Sequence, residues 1–175
     1  MKNFLIKILS IKFLRIFVLF TMLIGVSFFI QKGTHNMHFL GVSYNITDAQ
    51  LLSKINLIRR QNGLSPLIIN GKLSYAASLK ANDMLQKNYW SHFSPTGASP
   101  WYFIANSNYR YVYAGENLAK GYTNTDEVFN AWMNSESHKN NILSRSYTET
   151  GFAVVSGNFQ GQNSTIIVEM FGSRI

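Results

Sequence analysis

Four side chains in the second half of the chain have the chemistry of a catalytic or metal-binding site. They lie in WSHFSP, AGENLAKG and SESHKNN, and they are His92, Glu116, Glu136 and His138. Imidazoles and carboxylates act as general acids and bases and as ligands of divalent cations. Neighbouring Gly, Pro and Ser residues place all four on loops or at the ends of elements, where functional residues are common. The residues therefore predict a catalytic site, a metal site, or a hydrogen-bonded polar cluster that holds loops together.

The spacing of these residues leaves those alternatives open. Glu136 and His138 are two residues apart, so on one continuous helix they would not share a face. They could converge only if one helix ended near Ser135 and another began near Ser137. Two histidines and a glutamate could form a catalytic zinc site, but neither an H-E-x-x-H motif nor a G-x-S-x-G nucleophile motif is present. The chain has no cysteine, which excludes disulfides, thiolate metal ligands and a cysteine nucleophile.

The N-terminal segment has the features of a membrane or secretion signal. Residues 1–32 carry five Lys and Arg and no acid, which is +5 of the net charge of +8. The uncharged run IFVLFTMLIGVSFFI follows Arg15, and the small residues of a signal-peptide cleavage site are absent after it. Residues 13–30 as a helix would span about 27 Å, close to the roughly 30 Å hydrocarbon core of a bilayer. We expect an uncleaved membrane anchor, with a cleaved secretion signal as the alternative, and the rest of the chain outside the cytoplasm.

The remaining residues predict a short linker and one domain. Residues 33–46 read as the linker, and residues 47–175 are enough for one hydrophobic core, since 46% of the whole chain is hydrophobic. Beyond residue 32 the chain has 11 basic and 8 acidic residues without a basic stripe, so we expect no nucleic-acid partner.

The hydrophobic pattern predicts helices first and strands last. NITDAQLLSKINLIRRQNG reads as a helix capped by Thr47, and a second helix with an alanine-rich face follows from about Lys72 to Lys87. WSHFSPTGASPWYF reads as a loop with one turn of helix. YRYVYAG reads as a strand that ends at Gly115, with Glu116 in a turn. NTDEVFNAWMNS and SHKNNIL read as helices, and TGFAVVSG and STIIVEMFG as a hairpin. This order favours an α+β fold with helices over a central antiparallel sheet.

Five segments, in this order, resemble the CAP superfamily, also called the SCP or pathogenesis-related-1 fold. They are NLIRRQNGLSPLIINGKLSYAASLKANDM, WSHFSPTGASP, AGENLAKG, VFNAWMNSESHKNNIL and YTETGFAVV. The likeness covers about residues 47–175, and the absence of cysteine is similar to the bacterial branch. It implies an α-β-α sandwich with a cleft lined by two His and two Glu, which can hold a divalent cation such as zinc or magnesium.

The resemblance also implies which residues would line that cleft. His92 matches the first histidine, and Glu116 matches the glutamate of the G-E-N segment. The bacterial S-x-x-H motif gives His138, whereas Glu136 comes one residue later than the second glutamate of many eukaryotic members. Glu149 stands where those members have their second histidine, which makes it a substitute candidate. The expected set is therefore His92, Glu116, Glu136 and His138, as metal ligands or catalytic groups.

The family likeness leaves the function open between binding and catalysis. Members have been suggested to be peptidases, sterol or lipid binders, and secreted signalling or defence proteins. Because no nucleophile arrangement accompanies the polar cleft, we favour a non-enzymatic module that binds an envelope or extracellular ligand: a lipid, a glycan or a peptide. The alternative is a metal-dependent, peptidase-like hydrolase in which Glu116 or Glu136 is the general base. A purely structural role in the envelope is a third possibility.

Overall fold

The computed structural model describes residues 45–174. The expected membrane anchor or signal peptide, residues 1–32, lies outside the described residues, as does nearly all of the expected linker. Within residues 45–174, none of the helices has both the length and the apolar character needed to cross a bilayer.

The described residues form five helices and four strands. In chain order they are α1 (Asp48–Gln61), β1 (Ile68–Ile69), α2 (Gly71–Gln86), α3 (Pro100–Asn106), β2 (Tyr111–Lys120), α4 (Thr125–Asn134), α5 (Glu136–Ile142), β3 (Glu149–Phe159) and β4 (Gln162–Arg174). The strands form one sheet in the order β1-β3-β4-β2. The α+β class is confirmed, and the expected β3–β4 hairpin is present.

The sheet is mixed, so the prediction of an antiparallel sheet was wrong in one strand. Ile68 and Ile69 of β1 pair in parallel with Glu149 and Thr150 of β3. The strands β2, β4 and β3 pair antiparallel. Between β1 and β3 the chain passes through α2, α3, β2, α4 and α5. No short turn imposes a direction on a pair so far apart in sequence, which is why local patterns could not reveal it.

Helices lie on both faces of the sheet. On β4, Ile166, Val168 and Met170 contact the core formed with α2 and α3. The alternate residues Ile167 and Phe171 contact the core formed with α1, α4 and α5. This alternation follows from the two-residue period of a strand, and it places the loop after α2 and the helix α5 on opposite faces of the sheet.

Local sequence signals account for the helices next to the site. Thr47 caps α1, because its Oγ1 accepts a hydrogen bond from the backbone N–H of Gln50 at 3.3 Å. The alanine face of α2 packs closely on β3: a Cβ at Gly151 would run into the backbone of Leu73 and Ser74. Close packing of this face, which the alanines predicted, is therefore confirmed.

Two elements differ from the sequence prediction. Strand β2 continues to Lys120, so Glu116 lies inside a strand rather than in a turn, because residues 114–120 pair with β4. Gly115 belongs to that strand, and a Cβ there would approach Tyr147 Oη to 2.5 Å. The loop before β2 contains a helix of two turns, α3, where the sequence predicts one turn, and Pro100 lies in its first turn.

Two buried charged residues lie among α1, α5 and the sheet. The guanidinium of Arg59 donates hydrogen bonds to four carbonyl oxygens, those of Ser65, Ile142, Ser144 and Tyr147, at 2.7–3.1 Å. Glu169 on β4 is fully buried; its Oε1 accepts from Thr150 Oγ1 at 3.0 Å, and its Oε2 has no partner among the described residues. Burial raises the pKa of Glu169 well above its usual value.

Candidate functional site

The candidate site is built on a short hydrogen bond between His92 and Glu116. Glu116 lies on β2 with its side chain only 2% exposed, whereas the side chain of His92, in the loop between α2 and α3, is 51% exposed. His92 Nδ1 lies 2.6 Å from Glu116 Oε1. A carboxylate can only accept, so with Glu116 ionised the Nδ1–H is the donor. In the neutral imidazole the lone pair then lies on Nε2. The pair thus holds a half-exposed imidazole in a fixed orientation.

Glu116 is a carboxyl under opposing electrostatic influences. Burial raises its pKa, while the hydrogen bond from His92 and the positive charge of Lys80 work in the opposite direction. Its second oxygen, Oε2, is buried and has no hydrogen-bond partner in the described part of the chain. A buried oxygen without a hydrogen-bond partner lowers the stability of the folded state. The packing around Glu116 must therefore hold its carboxyl in this position.

His138 approaches this pair from the other side of β2. It lies on α5, and its pKa is lowered by burial and, to a lesser degree, by the charge of His92. The site therefore straddles β2, which is an edge strand.

Side chains of α5 tie this helix to β2 beside Glu116. Asn141 Nδ2 donates to the backbone oxygen of Glu116 at 3.1 Å and to Asn117 Oδ1 at 2.9 Å. Asn117 Nδ2 in turn reaches the backbone oxygen of His138 at 3.3 Å. These bonds fix α5, and with it the backbone of His138, relative to β2.

Three carbonyl groups on the outer edge of β2 accept hydrogen bonds from side chains. Tyr147 Oη donates to Ala114 O at 3.0 Å, and Trp132 Nε1 donates to Leu118 O at 3.1 Å. With the bond from Asn141 to the carbonyl between them, three alternate carbonyls of the edge strand have side-chain donors. Side chains therefore protect an edge that could otherwise pair with another strand.

The structure separates Glu136 and Glu149 from the other three candidates. The helix break falls at Ser135, which is extended (φ −99°, ψ 121°), so Glu136 and His138 both lie on α5. Two residues apart on one helix, they point to different sides, and Glu136 is exposed. Glu149 is engaged elsewhere: its oxygens accept from Asn70, Tyr109 and Arg174, at 2.7–3.1 Å.

The donor set that remains is small for a metal. Among residues 45–174, no three His, Asp or Glu side chains converge as ligands of one ion. The carboxylate of Glu116 is already bonded to His92. A catalytic zinc site uses three protein ligands, so these residues do not form one in this arrangement. Cation binding by the expected set stays a prediction.

The sequence interpretation missed Lys80, Asn117 and Asn141. The sequence could have indicated Lys80, because it falls on the same apolar face of α2 as Ala76, Ala77 and Met84. A lysine on a face that packs on the sheet cannot be solvated, so it needs buried hydrogen-bond partners. The two asparagines carried none, since the chain has many asparagines in polar stretches and only the fold selects these two.

A family model described as the cysteine-rich secretory protein family, CAP, matches residues 52–171, more than half of the chain. The chain belongs to the CAP family. This confirms the resemblance seen in the sequence, although the chain has no cysteine.

Two similar proteins come from Bacillus subtilis. The chain is 41% identical over 113 residues to the uncharacterized protein YkwD of that organism, covering 65% of this chain and 44% of that protein. It is 31% identical over 108 residues to the uncharacterized membrane protein YlbC, covering 62% and 31%. The CAP-family chain thus spans less than half the length of either relative.

Solved structures show the same fold. An extracellular SCP-domain protein from Bacillus anthracis superposes with a TM-score of 0.62 and 25% identity, over 72% of this chain and 40% of that one. An outer surface protein of Borrelia burgdorferi superposes with a TM-score of 0.63 and 26% identity, over 74% and 96%.

Proposed function

We propose that this CAP domain is a binding module outside the cytoplasm, and that the His92–Glu116–His138 edge holds its ligand. The observation that carries the proposal is the short bond that fixes a half-exposed imidazole over a buried carboxylate. Holding a polar group in place before a ligand arrives lowers the entropy lost on binding. Such a pair is suited to orient a polar group of a ligand.

The segment that carries His92 also has exposed apolar area. Five exposed aromatic side chains lie between residues 90 and 113: Trp90, Phe93, Trp101, Tyr102 and Tyr113. Ligand sites combine apolar and aromatic surface with a few fixed polar groups, and this segment has both. The outer carbonyls of β2 are already bonded, so a peptide that adds a strand to this edge is the least suitable ligand.

The location outside the cytoplasm rests on two kinds of support. Relatives described as an extracellular protein and an outer surface protein share the fold, and one Bacillus relative is described as a membrane protein. The basic and apolar N-terminal segment of the sequence points the same way. An anchor at residues 13–30 is part of this proposal.

A hydrolase is the second candidate, favoured by the same hydrogen bond. A carboxylate that orients an imidazole through Nδ1–H prepares Nε2 to take a proton from water or a hydroxyl group. The half exposure of His92 gives a substrate access to that nitrogen. The three assembled residues do not include a nucleophile, so in this reaction His92 would act on a water molecule.

One experiment separates these two functions. The purified protein is mixed with lipid vesicles, isolated cell-wall glycan and a peptide library, and both binding and turnover are measured. We expect binding without turnover, weakened at least tenfold by His92→Ala and unchanged by Glu136→Gln, a matched change outside the assembled site. Turnover that His92→Ala abolishes and Glu136→Gln preserves would establish the hydrolase instead. Binding that is insensitive to His92→Ala would remove this edge from the function.

The cation prediction needs its own measurement. Zinc is titrated into the dialysed protein by calorimetry, with His92→Ala and His138→Ala as variants. Heat that disappears in both variants would place a cation between the two imidazoles. Heat that neither variant changes would place zinc elsewhere, and no heat would exclude zinc binding under those conditions.

A further inference from the structure

Lys80 is a lysine in an unusual position. It lies on α2 with 0% of its surface exposed, on the helix face that contacts the sheet. Lysines are almost never fully buried without a charged partner. Salt bridges within residues 45–174 do not include Lys80, so an ion pair does not explain its burial.

The ammonium group of Lys80 is instead bound by the loop that carries His92. Its Nζ donates to the backbone oxygens of Ser91 and His92, both at 2.8 Å, and to Tyr89 Oη at 3.1 Å. An ammonium has three donors, and these three acceptors use them all. The rings of Tyr89 and Phe103 lie 4.9 and 5.4 Å from Nζ, which adds cation–π stabilisation.

The two carbonyl contacts determine the path of the loop. Successive carbonyls of an extended strand point to opposite sides, but those of Ser91 and His92 both point at one ammonium. The chain bends at these residues as a result. The bend sets the direction in which the side chain of His92 leaves the backbone.

We propose that Lys80 is the positioning residue of the site: it holds the bend at Ser91 and His92 so that His92 Nδ1 meets Glu116. Its importance for ligand binding rests on the proposed function, but the geometry it maintains does not. The charge of Lys80 also favours the ionised form of Glu116, the form that accepts from Nδ1–H. One buried cation thereby supports both partners of the 2.6 Å hydrogen bond.

A merely structural lysine would be replaceable by an apolar side chain of similar length. Lys80→Met removes the cost of taking an ammonium out of water, but it also leaves the oxygens of Tyr89, Ser91 and His92 without this donor. Methionine fills a similar volume and makes no hydrogen bond to a carbonyl. Lys80→Met therefore separates the packing role of this side chain from its positioning role.

The test observes the His92–Glu116 bond directly, in the protein without ligand. A short hydrogen bond from imidazole to carboxylate gives a proton resonance far downfield, and proton NMR follows it in the wild type, Lys80→Met and Lys72→Met. Lys72 is the matched control, because it lies on the same helix and donates to a carbonyl, Asn108 O at 2.9 Å, away from the His92 loop. We expect the resonance in the wild type and in Lys72→Met, and its loss in Lys80→Met while cooperative thermal unfolding is kept.

Three outcomes would overturn the proposal. One is a downfield resonance in Lys80→Met at the wild-type position. Another is its loss in Lys72→Met to the same degree. If Lys80→Met does not fold, the wild type decides: the ammonium protons of Lys80 must exchange slowly and show coupling to the carbonyl carbons of Ser91 and His92, and their absence refutes the contacts. Because no ligand is used, failure of the proposed binding function would leave these results unaffected.

Discussion

Trp132 offers a quantitative test of how the fold holds the edge of the site. The indole on α4 is 1% exposed within the core formed by α1, α4, α5 and the sheet. Its Nε1–H donates to Leu118 O on the outer edge of β2 at 3.1 Å. The side chain therefore combines a large apolar contact with one hydrogen bond, and two substitutions separate them.

The two contributions differ in expected size. Trp132→Ala removes both and leaves a cavity, so we expect a loss of about 3–5 kcal/mol in the free energy of unfolding. Trp132→Phe keeps most of the ring but leaves the Leu118 carbonyl without its donor, so we expect a loss of about 1–3 kcal/mol. The difference between the two variants measures the packing of the phenyl ring that Trp132→Phe retains.

Urea denaturation followed by far-UV circular dichroism measures these losses. Trp101→Phe is the control, because Trp101 is 40% exposed on α3 and a surface change of this kind alters stability by about 0.5 kcal/mol or less. Unchanged m-values would show that the variants unfold to the same state. A loss under about 1 kcal/mol for Trp132→Ala would refute the enclosed indole. Wild-type stability of Trp132→Phe would refute the contribution of the hydrogen bond.

Three further predictions concern buried groups. Folding raises the pKa of Glu169, so the free energy of unfolding falls as the pH rises from about 4.5 through the raised pKa. Glu169→Gln should lessen this fall between about pH 5 and pH 8. An equal fall in the wild type and the variant would contradict the prediction. Arg59→Met leaves four carbonyls without donors, and a buried acceptor left unsatisfied costs about 1–3 kcal/mol. Urea denaturation should therefore show a loss of at least about 3 kcal/mol, and a loss below about 1 kcal/mol would show that these bonds are replaceable. Gly151→Ala should lower the free energy of unfolding by about 1–3 kcal/mol or more, because the new Cβ meets helix backbone. Gly157→Ala on the same strand meets only the end of a leucine side chain, so it should lower the free energy of unfolding less. Equal losses in the two variants would argue against the close helix–strand contact.

Helix positions followed closely from local patterns. The cap at Thr47, the alanine face of α2 and the break between α4 and α5 are properties of a few neighbouring residues, and each is present in the structure. Glu136 could converge with His138 only if the helix break lay between them. The second helix begins at Glu136, so both residues lie on the same helix.

Strand pairing and strand length did not follow from local patterns. The parallel partner of β1 comes about eighty residues later in the chain, and the second half of β2 is a strand only because β4 lies beside it. The residues AGENLAK contain a glycine and polar side chains that are typical of a turn, and tertiary pairing overrides that preference. The sequence predicts a turn at Glu116, whereas the residue lies inside β2.

The sequence alone predicts the residue types of the site, because histidines and acidic residues are few in this chain and each candidate lies in a distinctive motif. Motif order also pointed to the CAP family, which the family model confirmed. Which of those residues meet was decided by folding. His92 bonds to Glu116, and Asn141 ties the helix that carries His138 to the same strand, whereas Glu136 is exposed and Glu149 binds Arg174. The burial of Lys80 beneath His92 depends on the same three-dimensional arrangement. Side-chain chemistry is a property of each residue, but distance and burial arise only when segments remote in sequence pack together.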